Sequence, residues 1–202
     1  MRILLRGVLA GLMVSLGCVA YLMCPNKIVG SFLFSFGLFT ILNLRLALFT
    51  GRVGYLAVDC SRKSLIKLLL ALAGNLLGTL FSALLIRGTR LQIMDAARAA
   101  ATIRLEDGLV SLFILAFFCG ILMFLAVELS KTLDNAFAKA LSVVFAVMLF
   151  INAGFEHCIA DMFFLALAGS FAPLRLSVII LGNTAGSILF CFCYKATAPL
   201  LL

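Results

Sequence analysis

The 202-residue chain is 65% hydrophobic and 12% charged, with a formal charge of +8. A soluble domain of this length cannot bury so much apolar surface, whereas apolar runs of about 20 residues match a hydrocarbon core about 30 Å thick. Composition thus excludes a soluble protein, and the dispersal of the basic residues between apolar runs excludes a nucleic-acid-binding surface.

The first span, Met1 to Met23, carries Arg2 and Arg6 before its apolar run. No cleavage site leads into a soluble body, so it reads as a transmembrane helix rather than a signal peptide. Gly7 and Gly11 give it a GxxxG spacing suited to close helix contact. After Pro25-Asn26-Lys27 a second apolar segment runs from Ile28 to Val58. As continuous helix it would be roughly 46 Å long. That excess predicts a break, placed at Thr50 to Gly54, where Gly51, Arg52 and Gly54 interrupt the run. Non-helical backbone at depth is tolerated only where protein or a water-filled cavity lines it.

The third span, Ser64 to Ile86, contains Gly74-Asn75-Leu76-Leu77-Gly78. A connection from Arg87 to Asp107, rich in Ala and Arg, reads as a surface helix, and the fourth span, Gly108 to Val127, has no charge. Ala140 to Ala153 would make only about 21 Å of helix, too short to cross alone. The crossing is completed beyond Gly154-Phe155-Glu156-His157 by Ile159 to Ala168, which makes the fifth span two half-helices. Leu174 to Cys193 is the sixth, carrying Gly182-Asn183-Thr184-Ala185-Gly186, and Lys195 with a short apolar tail follows. The expected fold is a single all-α membrane domain over residues 1–202 with six transmembrane helices.

Gly74-Asn75-x-x-Gly78 and Gly182-Asn183-x-x-Gly186 match, and each follows a break at nearly equal distance. The halves, about 1–87 and 108–195, correspond at an offset of 107 to 108. Three spans per half is an odd number, so the copies enter from opposite faces. An inverted repeat with helices two and five broken places a site near the bilayer midplane. With the N-terminus inside, eight cations fall on the cytoplasmic side and six outside, which favours cytoplasmic N- and C-termini in the cell's inner membrane. Four of the outer six, Arg87, Arg90, Arg98 and Arg104, lie in one connection. They either draw anions to the external mouth or are simply solvated.

Glu156, His157 and Asp161 stand in a segment otherwise fit for hydrocarbon, and His157 is the chain's only histidine. Ionisable residues at such depth usually face a cavity or a transport path. Seven cysteines show no zinc-type spacing, and neither a metal nor a cofactor is expected. An intramembrane enzyme would need a nucleophile and base, and neither GxSG nor HExxH is present. A small substrate-capture subunit of a vitamin transporter has this size and hydrophobicity, but predicts no inverted repeat.

Leu48-Phe49-Thr50-Gly51, the Gly74-Asn75 motif, Ala153-Gly154-Phe155-Glu156-His157 and Gly182-Asn183 together resemble the formate/nitrite transporter family, which includes formate, nitrite and hydrosulfide channels. The resemblance implies an aquaporin-like homopentamer in the lipid bilayer, with one pore per protomer for small monovalent anions. It makes His157 the central pore histidine, Thr50 the threonine after the second-helix break, Asn183 the sixth-helix pore asparagine and Phe150 a narrowing residue. Arg104 takes the place of a basic residue, usually lysine, near the outer mouth. Asp161 and Gly120 depart from usual asparagines, Arg52 is an unusual cation beside the break, and the gating N-terminal extension of some members is missing.

Several roles follow for these positions. Thr50 is expected to donate to an anion, Asn183 to orient the imidazole, and His157 to offer charge or a proton. Glu156 is expected to face a neighbouring helix and Arg104. Gly7/Gly11 is the small-residue face expected at the pentamer interface.

Overall fold

Apolar runs without internal breakers give the longest helices. In the computed structural model, which describes residues 1–197, these are α1 (Arg2–Met23), α4 (Arg62–Arg87), α6 (Leu109–Thr132) and α9 (Pro173–Thr197). At 22 to 26 residues each, they extend about 33–39 Å. They alternate with shorter pieces: α2 (Lys27–Asn43), α3 (Thr50–Val53) running into a 3₁₀ turn (Gly54–Ala57), α5 (Met94–Glu106), α7 (Ala136–Asn152) and α8 (Cys158–Ala168). There is no strand among the described residues. The apolar tail beyond Thr197, with Pro199, lies outside them.

The two halves use the same local chemistry. Asn26 caps α2 by accepting from the Ile28 and Val29 N–H groups, and Asn135, 109 residues later, caps α7 by accepting from Ala138. Each helix then runs for 17 residues. Both end in a Schellman-type cap, with Leu46 N–H donating to Ile41 C=O at 2.8 Å and Phe155 N–H to Phe150 C=O at 2.9 Å. The left-handed residues of these caps are Arg45 (φ 53°) and Gly154 (φ 72°).

This corrects the position of the first break. Residues 44–49 are the non-helical ones, while Thr50 to Val53 is helical. The chain leaves the helix at Arg45 because its cap closes there. Gly51 and Gly54 serve packing instead, against Val127 in the first case and against Phe124 and Ser187 in the second. The matching caps lie 109 residues apart, and Asn75 and Asn183 lie 108 apart.

Small residues let α1 pack on α4 and α6 on α9 with backbone nearly in contact. A Cβ on Gly74 would lie 2.5 Å from Leu4 O, and one on Gly7 2.9 Å from Ala71 O. In the other half a Cβ on Gly182 would lie 2.5 Å from Phe113 O, and Gly186 is pressed against Phe117 O. The Gly7/Gly11 face is therefore occupied within the protomer by Gly74 and Gly78, and is not available to a neighbouring subunit. Gly120 follows the same logic, because a side chain there would collide with the Asn183 backbone.

An L-residue in the left-handed region costs roughly 1–2 kcal/mol, a cost glycine escapes. Arg45→Gly is therefore expected to raise the thermal midpoint of the detergent-solubilised protein, and Gly154→Ala to lower it. A fall for Arg45→Gly in the same assay would mean that the arginine side chain contributes more than its backbone costs.

Candidate functional site

Interrupting a helix at depth frees N–H and C=O groups that water cannot reach, and each left unpaired costs about 1–3 kcal/mol. Two buried asparagines meet this demand in the same way. Asn75 on α4 accepts from Phe49 N–H through Oδ1 and donates through Nδ2 to the carbonyls of Ala47 and of Gly7 on α1, all at 2.9 Å. Asn183 on α9 accepts from Cys158 N–H at 2.9 Å and donates to the carbonyls of Glu156 and of Ala116 on α6, both at 2.8 Å. Each amide bridges residues i and i+2 of the interrupted strand and anchors them to a third helix.

Asn183 thus grips the backbone on either side of His157. It does not bond to the imidazole, contrary to the expected orienting role, because both polar ends of its amide are taken by main chain. The ring is held by other groups. Its Nδ1 accepts from Ala160 N–H at 3.2 Å, capping α8, and its Nε2 lies 2.9 Å from Thr50 Oγ1. Since Nδ1 accepts, the neutral ring carries its hydrogen on Nε2 and donates to the Thr50 hydroxyl. The Thr50 O–H is left to donate elsewhere. Phe150 stacks on the ring, with centroids 5.6 Å apart and planes inclined by 25°, and meets Phe34 edge-on. Thr50, Phe150 and His157, far apart in sequence, are thereby brought together in a site shut off from solvent.

Arg104 is not a solvated mouth residue. Its Nε lies 2.7 Å from Asp161 Oδ1 and 2.9 Å from Glu156 Oε2, and its Nη1 donates to Ala100 C=O. The expected contact between Glu156 and Arg104 is present, with Asp161 added to it. Other arginines of the cationic connection are also engaged. Arg87 donates to the carbonyls of Ala166 and Leu167 at the end of α8, and Arg98 pairs with Asp95. Arg98 and Arg104 are thus paired with carboxylates, whereas Arg87, bound only to carbonyls, keeps its charge.

A feature absent from the sequence reading is a cavity of about 670 Å³ beside the first break, reaching Leu48 and Gly51 and lined by Arg45, Arg52, Lys67 and Lys131. Arg52 sits at this rim and donates to Leu46 C=O rather than reaching Thr50. The single carboxylate on the lining, Asp59, is held below the usual carboxylate range by hydrogen bonds from Ser64 and Ser61. The cavity nonetheless remains cationic. Its wall is fixed by Glu128, which accepts from Tyr55 at 2.6 Å and from Lys195 at 2.5 Å. Arg52, an unusual cation beside the first break, was the sequence signal that pointed to this region. Among the described residues no group of three His, Cys, Asp or Glu side chains is placed to hold a metal ion.

The formate/nitrite transporter family profile matches residues 1–194. No curated protein matches the chain. Among solved structures, an "FNT family ion channel" superposes with a TM-score of 0.86 at 23% identity, covering 98% of this chain and 90% of that one. A "pentameric formate channel with formate bound" superposes with a TM-score of 0.85, also at 23% identity, covering 98% of this chain and 97% of that one. At this identity the superpositions establish the fold.

Asn183→Leu keeps the four-atom, Cγ-branched outline of asparagine while removing three hydrogen bonds and leaving main-chain groups unpaired. It is expected to cost about 3 kcal/mol or more. Thermal unfolding in detergent measures this, with Asn75→Leu matching it in size. A loss under about 1 kcal/mol would show that the interrupted segments are held by packing instead.

Proposed function

The chain belongs to the formate/nitrite transporter family, and from that membership we propose a homopentameric channel that passes small monovalent anions, formate foremost. Nitrite, hydrosulfide and lactate-type anions are its competitors. In this reading α2 with α3, and α7 with α8, each complete one crossing. Six spans then enclose a pore in every protomer, with both ends of the chain on the cytoplasmic side of the inner membrane. A pentameric formate channel among the structural neighbours supports the assembly and the first choice of anion.

The observation that carries the proposal is the buried contact between Thr50 Oγ1 and His157 Nε2 at 2.9 Å. An anion entering a dry constriction loses hydration worth tens of kcal/mol in the idealised limit, so it needs donors or a proton. The Thr50 hydroxyl, already accepting from Nε2–H, presents its own hydrogen. α8 begins just after its N-cap His157, and its positive dipole end favours negative charge, while the Cys158 and Ala160 N–H groups are already engaged by Asn183 and His157.

The same geometry makes a cationic imidazole short-lived. A hydrogen on Nδ1 would face the Ala160 N–H that now donates to it, and the positive helix end would repel the ring. A proton taken up by His157 is therefore readily passed to a bound anion, and the neutral conjugate acid crosses past Phe150. The rim cations Arg45, Arg52, Lys67 and Lys131 raise the anion concentration at one entrance.

In proteoliposomes, formate entry is expected to rise as the external pH falls and to bring protons with it. His157→Asn should keep the fold and the pentamer while losing that pH dependence. Current and internal pH recorded together distinguish this from a fixed-charge channel, for which formate current flows with no proton movement.

A further inference from the structure

We propose that the Glu156–Asp161 carboxyl pair is a proton-binding site, holding one exchangeable proton between Glu156 Oε2 and Asp161 Oδ2, and that occupancy of this site permits anion passage. The regulatory half of the proposal rests on the channel reading above; the proton site does not.

Charge balance is the first argument. Two carboxylates share one guanidinium, with Arg104 Nε 2.9 Å from Glu156 Oε2 and 2.7 Å from Asp161 Oδ1. The side chains of Glu156 and Asp161 are 3% and 0% exposed. Fully ionised, the cluster would hold a net negative charge with no water to solvate it, which proteins avoid by neutralising the group.

Hydrogen bonding is the second argument. Nε carries a single hydrogen, and it is directed to Asp161 Oδ1. Among the described residues Glu156 Oε2 and Asp161 Oδ2 are left without a partner. The two carboxyls converge on the same Arg104 Nε, Glu156 Oε2 at 2.9 Å and Asp161 Oδ1 at 2.7 Å. One proton placed between them serves both orphaned oxygens and brings the cluster to neutrality.

Among the described residues no second positively charged side chain faces the pair. The titratable groups facing the pair from other elements are the thiols of Cys18 on α1 and Cys119 on α6, joined by Cys158 on α8 itself. Thiols contribute no positive charge. Arg87 from α4 is bound at the far end of α8, and Arg175 from α9 donates to the carbonyls of Arg104 and Asp107. His157 uses both nitrogens toward Ala160 and Thr50. The proton therefore resides on the carboxyl pair.

The sign of the effect follows from charge. With the proton bound the cluster is neutral. When it leaves at alkaline pH, a net negative charge appears one residue from His157 and opposes anion entry. One charge on the order of 10 Å from the anion, at an effective dielectric of about 20, lowers flux about tenfold to twentyfold. Asp161→Asn leaves a balanced Glu156–Arg104 pair that has no proton to lose, and its amide can donate to Glu156 Oε2.

The test has two arms on the purified full-length protein. Infrared spectroscopy at neutral pH should show a protonated-carboxyl stretch that disappears in both Asp161→Asn and Glu156→Gln. Absence of any such band sensitive to these substitutions overturns the proton site. In proteoliposomes, formate uptake by the unmodified protein should fall more steeply on the alkaline side than proton coupling through His157 alone produces, and Asp161→Asn should remove that extra fall while keeping the His157-dependent rise toward acid pH. Superimposable pH profiles overturn the regulatory role while the band stands. No formate uptake by any variant contradicts the channel reading alone, and the band then decides the proton site.

Discussion

Backbone that leaves a helix where it is buried in the protein must have its N–H and C=O groups satisfied by protein, and this requirement falls on the non-helical residues 46–49 and 156–157, which are buried. Asn75 and Asn183 meet it with one amide each, by the same three-bond pattern. Their position fixes the rest. An asparagine can bridge residues i and i+2 of an interrupted strand only if its own helix approaches closely, and glycines bring α4 onto α1 and α9 onto α6. Close packing in turn forbids a side chain at Gly120, the position that lies against the Asn183 backbone. Once the strands are held, the ends of α3 and α8 carry Thr50 and His157 into contact.

The site is therefore preorganised by main chain rather than by the side chains that surround the imidazole. His157 is the N-cap of α8, with its backbone flanked by Asn183 contacts and its ring oriented by Ala160 N–H. The ionic cluster of Arg104, Glu156 and Asp161 lies behind the same turn and ties α5 to α8. Polar networks of this kind hold one geometry when every member is satisfied, which gives the shared proton of the carboxyl pair a structural as well as an electrical consequence.

Much of the fold was legible because hydrocarbon thickness sets a length scale. The apolar run Ala140 to Ala153 was too short to cross alone, and in the structure α7 ends at Asn152 and α8 starts at Cys158, on either side of Glu156 and His157. The first break was misplaced for an equally physical reason. Its left-handed residue is Arg45, which carries no turn signature, whereas Gly51 and Gly54 do but are used for packing. Glycine spacing on α1 likewise announced a close contact without saying which helix supplied the other side. The burial of Arg104 could be anticipated only from its partner Glu156. The second carboxylate, Asp161, is one helical turn further on and neutralises what looked like a free cation. Asn183 was identified as a site residue, but a side chain that binds main chain cannot be distinguished in sequence from one that binds a ring.

In the proposed channel the Thr50 hydroxyl and the His157 imidazole together face the permeating anion. Uptake of isotopically labelled formate into liposomes containing the pure protein, compared with Thr50→Val, tests this directly. Valine keeps the branched shape and removes only the hydroxyl that accepts from Nε2 and donates onward. Saturable uptake by the unmodified protein and its loss in a correctly assembled Thr50→Val variant is the predicted result; equal uptake by the two would contradict it.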